Sequence, residues 1–248
     1  MEIIGALIAG CFIGAVLGFV GAGGAMLSVP ILVYGFSIKA HVASVAALAV
    51  VIVAALSGLY PRYKKREILI KEALIIWSIG SFANVGAAQI AKHISDSWLL
   101  TGFCAVITLA GASMLRKPVQ APEKKIPIAL LILLSLIIGT MTGLFGIGGG
   151  FLAIPVLVLA FNTPQNKAAG TSLLIITLNS ATALLAHYTS WKLISWEIPI
   201  LMGLSAIVVG TWAGHMAERT NPVILRKAFA GLLFSIAAFT LIKTWLIN

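Results

Sequence analysis

Apolar positions run along this chain in long blocks rather than at strand or amphipathic-helix spacing. In the first half the blocks cover residues 3–20, 25–37, 41–59, 70–91 and 97–115. In the second half they cover 127–145, 150–161, 167–187, 194–215 and 223–246. A helix that crosses the hydrocarbon core of a bilayer needs about 20 apolar residues. The second block of each half is too short for that. Each short block follows a cluster of glycines and carries a proline in its second turn, Pro30 or Pro155. Such a block reads as a half-helix folding back on the helix before it, a re-entrant hairpin. Each half is then one glycine-broken hairpin plus three full spans, in an all-α membrane protein.

The two halves are copies. Gly14-AVL-Gly18-FV-Gly21-A-Gly23-Gly24-AMLSV-Pro30-I-Leu32 is matched by Gly139-TMT-Gly143-LF-Gly146-I-Gly148-Gly149-GFLAI-Pro155-V-Leu157, every named position moving by 125 residues. The same shift pairs Tyr63 with Tyr188 and Glu72 with Glu197. Chance supplies one small-xxx-small pattern, not a whole register of them. The repeats are placed at residues 1–115 and 127–248, with 116–126 as the linker between them; Pro118 and Pro122 lie in that linker and Pro127 directly follows it.

Composition narrows the class. The 248 residues are 60% hydrophobic and 10% charged, with a mean hydropathy of +1.07. A soluble domain carries about a quarter charged residues, so this exterior is built for lipid. Residues 1–20 open with Glu2 rather than a basic stretch and read as a membrane segment, not a signal peptide. Cys11 and Cys104 lie inside apolar runs and read as packing residues. No cofactor or metal is expected.

Net charge +10 raises the question of nucleic acid, but the 17 Lys and Arg cluster between apolar blocks, as in loops flanking membrane spans. A hairpin plus three spans is an odd number of crossings, which inverts the second half relative to the first. With the 62–71 loop inside, the inner side collects Arg62, Lys64, Lys65, Arg66, Lys71, Arg116, Lys117, Lys124, Lys125, Lys167, Arg219, Arg226 and Lys227. The outer side keeps Lys39, Lys92, Lys192 and Lys243, a division of 13 to 4. Parallel halves, with each glycine-rich pair crossing once as a broken helix, give 11 to 6. The positive-inside rule favours inversion. The expected partners are therefore the bilayer and a small solute, with no nucleic acid; a homo-oligomer stays open.

The glycine-rich breaks carry the candidate chemistry. The first N–H groups of a helix have no intrahelical partner and bear partial positive charge. Ahead of a half-helix within the bilayer, Gly23, Gly24, Gly148 and Gly149 would let an anion approach those donors, and inverted halves would point two such ends at a central site. Gly14, Gly18, Gly139 and Gly143 read instead as helix-packing positions. Thr171, Ser172 and Asn179 add hydroxyl and amide groups in the second half, with Thr177 and Thr182 on the same helix; Asn84 and Gln89 are weaker candidates from the first. The counterparts of Thr171 and Ser172 are Ala46 and Ala47. No Asp or Glu falls mid-span, and His41, His93, His187 and His215 all fall near span ends. Neither a HExxH helix, paired intramembrane Asp nor a nucleophile in register with His is present, which argues against an enzyme.

The two copies of G-x-x-G-x-G-G-x-x-x-x-x-P, the Ala168-Ala169-Gly170-Thr171-Ser172-Leu173 run and the basic loop after the third block resemble the TauE/SafE family, the sulfite exporters, also called 4-toluene sulfonate uptake permeases. The resemblance spans essentially the whole chain. It implies an inner-membrane permease for sulfite or an organosulfonate, exporting it as a secondary transporter. It adds Gly21 and Gly146 to the glycine site and assigns Pro30 and Pro155 structural roles. Members of the family often carry a Thr-Ser pair in the first half too, where this chain has Ala46 and Ala47. A carboxylate transporter, a passive anion channel and a membrane subunit serving a partner enzyme are the alternative readings.

Overall fold

A backbone in lipid must satisfy its own polar groups, and the long apolar runs do so as helices. The computed structural model describes residues 2–20, 24–91, 94–115, 127–145, 153–154, 157–158 and 163–247, among which no strand occurs. The helices are α1 (Glu2–Val20), α2 (Gly24–Pro30), α3 (Ala40–Lys64), α4 (Ile70–Ala91), α5 (Asp96–Leu115), α6 (Ile128–Phe145), α7 (Gln165–Ala186), α8 (Glu197–Arg219) and α9 (Pro222–Ile242). Five helical stretches among the described residues are long and apolar enough to cross a bilayer: Glu2–Phe19, Val42–Lys64, Asn166–Ala186, Glu197–Ala217 and Lys227–Trp245, the last running past α9 into the π-helical turn Lys243–Ile247. Large apolar side chains point outward all round, Phe82 at 84% exposed and Leu109 at 71% among them. In water such a surface would aggregate; in lipid it is solvated. The linker at 116–126 lies outside the described residues.

Small residues set the closest helix contacts. A Cβ on Gly14 would strike the backbone of Ala206, and one on Gly18 the backbone of Gly210. The counterparts Gly139 and Gly143 press in the same way on the backbones of Gly80 and Asn84. Thus α1 lies against α8 as α6 lies against α4, α3 meets α7, α5 meets α9, and the α3–α8 contact is mirrored by α7–α4. The mirrored partners, Ala206 and Gly80, stand one residue out of the 125-residue register. The packing therefore absorbs a one-residue slip after the Tyr63–Tyr188 pair, which the pairing of Glu72 with Glu197 does not include.

The order of contacts fixes helix directions. Gly10, Gly14 and Gly18 meet Met202, Ala206 and Gly210 in turn, so α1 and α8 run the same way. Gly203 meets Val53 and Gly210 meets Ser57, so α3 runs with them. Gly139 and Gly143 meet Gly80 and Asn84, making α6 and α4 codirectional. Gly58 meets Leu173 while Arg62 reaches back to Asn166, so α7 opposes α3. Phe36 returns to the level of Gly5, which brings the end of the α2 segment beside the start of α1.

Helix ends follow local chemistry. The third apolar block stops near residue 59, yet α3 runs on through Pro61 to Lys64. Its polar last turn is closed by Glu67 N–H to Arg62 O at 3.0 Å and Arg66 N–H to Tyr63 O at 3.1 Å, with Arg66 left-handed at φ 56°. That pattern satisfies the last carbonyls of a helix whatever its side chains. Asn221 caps α9 through Val223 N–H at 2.9 Å, with Pro222 following. Pro30 is the last residue of α2, and the chain widens after it into a π-helical turn, Ile31–Gly35. The bond that closes this segment, Ile38 N–H to Leu32 O at 3.2 Å, repeats in the second half as Thr163 N–H to Leu157 O at 3.1 Å.

Candidate functional site

Where α3 and α8 end and α7 begins, both halves line one cleft. The first half contributes Gly18, Ser57, Arg62 and Glu67, and the second contributes Asn166, Thr211 and His215. Gly18 places the end of α1, the arm leading into the first glycine-rich break, in its wall. The cleft is thus built where helix termini from both repeats converge.

Its polar groups are largely engaged with one another. A guanidinium N–H of Arg62 donates to Asn166 O at 3.1 Å, and Asn166 Nδ2 donates to Glu67 Oε1 at 3.5 Å. Ser57 donates to Ala54 O at 2.7 Å, and Thr211 to Ile207 O and Val208 O, so both offer the cleft oxygen lone pairs rather than protons. His215 Nδ1 lies 2.9 Å from Thr211 O. A carbonyl only accepts, so Nδ1 carries the proton and Nε2 is an acceptor while the ring is neutral. The wall thus carries a guanidinium, Arg62, and a carboxylate, Glu67, and the planar fork of the guanidinium is of the kind that matches an oxyanion.

The expected site residues divide between two places. Gly24 begins α2. Gly21, Gly23, Gly146, Gly148, Gly149 and Pro155 lie outside the described residues. Thr171, Ser172 and Asn179 are all buried on α7. Thr171 Oγ1 donates to Lys167 O at 2.7 Å and accepts Leu69 N–H at 3.0 Å. It ties the start of α4 to the start of α7, with its single proton already used. Thr182 likewise donates to Leu178 O and accepts Trp77 Nε1–H at 3.0 Å. His187 Nδ1 meets Ala183 O at 2.8 Å.

Sequence reasoning passed over Arg62, Glu67, Asn166 and His215. Ending α3 at residue 59 turns Arg62 into one more loop cation. The signal was helical spacing: Arg62 stands one turn beyond Gly58, and His215 one turn beyond Thr211, on continuing helices.

The architecture defines a class, a multi-pass all-α membrane protein with a polar cleft shared by two copies of one unit. The chain matches the family of sulfite exporters TauE/SafE over residues 6–240 and belongs to it. Relatives include a protein of Xylella fastidiosa (strain Temecula1 / ATCC 700964), 27% identical over 246 residues, which cover 95% of this chain and 94% of that one. YdhB of Bacillus subtilis (strain 168) is 30% identical over 243 residues, covering 89% and 95% of the two chains. A Methanocaldococcus jannaschii protein is 34% identical over 116 residues, covering 44% and 43%. Each bears the name "Probable membrane transporter protein". Transport across a membrane is thus the function of the family to which this chain belongs.

Proposed function

We propose that this chain is a secondary transporter that exports a small sulfur-containing anion, sulfite or an organosulfonate, across the cell inner membrane. The observation that carries this reading is Arg62, a guanidinium that lines the cleft beside the Glu67 carboxylate, among groups from both repeats, at the level where α1 runs into its glycine-rich break. The basic residues of the adjoining segment, Lys64, Lys65 and Arg66, raise the local potential and draw anions toward it.

In this reading the halves are inverted. Supporting it, α1, α3 and α8 run one way while α4, α6 and α7 run the other, so α1, α3 and α4 oppose their counterparts α6, α7 and α8. The return of Phe36 to Gly5 supports the re-entrant hairpin. Aromatic side chains fit the same orientation. Trp98 packs on Trp245, and Lys243 lies 3.8 Å over the ring of Tyr34, all at the end assigned outside, while Lys64 and Tyr60 pair at the basic end.

The anion then passes from the cleft to the backbone N–H groups at Gly21, Gly23 and Gly24 and at Gly146, Gly148 and Gly149, with Ser172 and Asn179 of α7 as the polar side chains of the site. Thr171 acts through the start of α4 as a positioning residue. Uptake of radiolabelled sulfite by proteoliposomes tests this. Saturable uptake that Gly148→Leu abolishes in a still-folded protein is the expected result. Normal uptake by that variant removes the half-helix site, and no saturable sulfite uptake under any imposed gradient removes the sulfite assignment.

A further inference from the structure

Among the described residues two buried hydroxyls lack a hydrogen-bond partner, Thr163 Oγ1 just before α7 and Ser180 Oγ within it. Ser180 is fully buried, and its Oγ has no hydrogen-bond partner among the described residues. Its neighbours on the same helix behave otherwise: Thr171, Thr177 and Thr182 each donate to the carbonyl four residues back. Serines elsewhere do the same, as Ser135 donates to Leu131 O at 2.6 Å. A buried hydroxyl left without a partner in a membrane interior is costly.

Depth and asymmetry give it meaning. In the first half, Ser57 stands level with Gly18 on the approach to the first break. In the second half, Thr182 bonds Trp77 of α4, and Gly143 meets Asn84 seven residues further along the same helix. The counterparts of Asn179 and Ser180 are Ala54 and Ala55, both buried in the apolar core. Only the second repeat is polar here. From Leu173, in the cleft wall, to Ser180 is about 10 Å along the helix.

We propose that Ser180, with Asn179 beside it, forms a second and deeper station for the transported oxyanion. Ser180 Oγ–H donates to its oxygens after it leaves Arg62. This rests on the small-anion reading above. No Asp or Glu lies mid-span in the sequence, which disfavours a cation as occupant. Neutral donors in a low dielectric hold an anion firmly enough to desolvate it and loosely enough to release it.

The test compares wild type, Ser180→Ala and a Thr177→Ala control in detergent and in proteoliposomes. The probes are sulfite, an alkanesulfonate and acetate. Ser180→Ala is expected to keep or raise the Tm without anion, to lose the stabilisation that the carried anion gives wild type, and to raise KM about tenfold. Thr177→Ala is expected to leave KM unchanged. The station is overturned if Ser180→Ala keeps KM within about twofold of wild type, or if it lowers the anion-free Tm, which would mean that the hydroxyl was bonded within the protein. Wild type that carries none of the three probes saturably overturns the anion reading and the station with it, whereas transport unaltered by Ser180→Ala overturns the station alone.

Discussion

Thr171 and Arg62 show how single side chains do different work at one helix crossing. Thr171 spends its proton on Lys167 O of its own helix and accepts Leu69 N–H, the one of these two bonds that joins the two repeats. Thr171→Val leaves that N–H without its acceptor and is expected to cost about 1–3 kcal/mol, read as a fall in Tm that Thr171→Ser largely restores. Arg62 lines the cleft and also donates to Asn166 O, so its loss is read in KM with Tm followed alongside. Arg62→Ala is expected to raise KM for the carried anion by about tenfold or more, with Arg62→Lys recovering part, because an ammonium keeps the charge and loses the fork. An unchanged KM in Arg62→Ala would remove the cleft from the anion's path. The sequence named Thr171 for its hydroxyl but could not say where its proton goes. That depends on Leu69, 102 residues away and brought near by the fold.

At the scale of elements, glycine explains the tightest packing. Gly14 and Gly139 sit where any side chain would enter the backbone of α8 or α4. Gly139→Val is expected to separate α6 from α4 and to reduce the folded yield sharply, whereas Gly231→Ala, with open space around it, is expected to leave yield unchanged. Size-exclusion profiles from detergent extracts check both. These packing glycines were legible in the sequence because their spacing repeats. The length of α3 was not, since apolar runs mark the lipid boundary and not the helix end: the last turn, from Pro61 to Lys64, is polar and still helical. That misjudged end hid Arg62 and, with it, the cleft. The register of α8 was hidden for a different reason. A slip of one residue between α7 and α8 costs nothing in the sequence pattern and shows only in which backbone each glycine meets.

For the whole molecule, the repeat and the basic loops together predicted the inverted arrangement that the helix directions support. Single cysteines placed in a variant lacking Cys11 and Cys104 test it. Lys65→Cys is expected to label from inside the cell and Lys192→Cys from outside; labelling of both from the same side contradicts it. Inversion, as proposed, would give one site two equivalent routes of access, through which a carrier alternates. The most direct test of that account is exchange in proteoliposomes preloaded with unlabelled sulfite. A carrier predicts saturable uptake of labelled sulfite that preloading accelerates. Flux that rises linearly with concentration and ignores the internal pool would contradict alternating access and make the cleft the mouth of a passive pore.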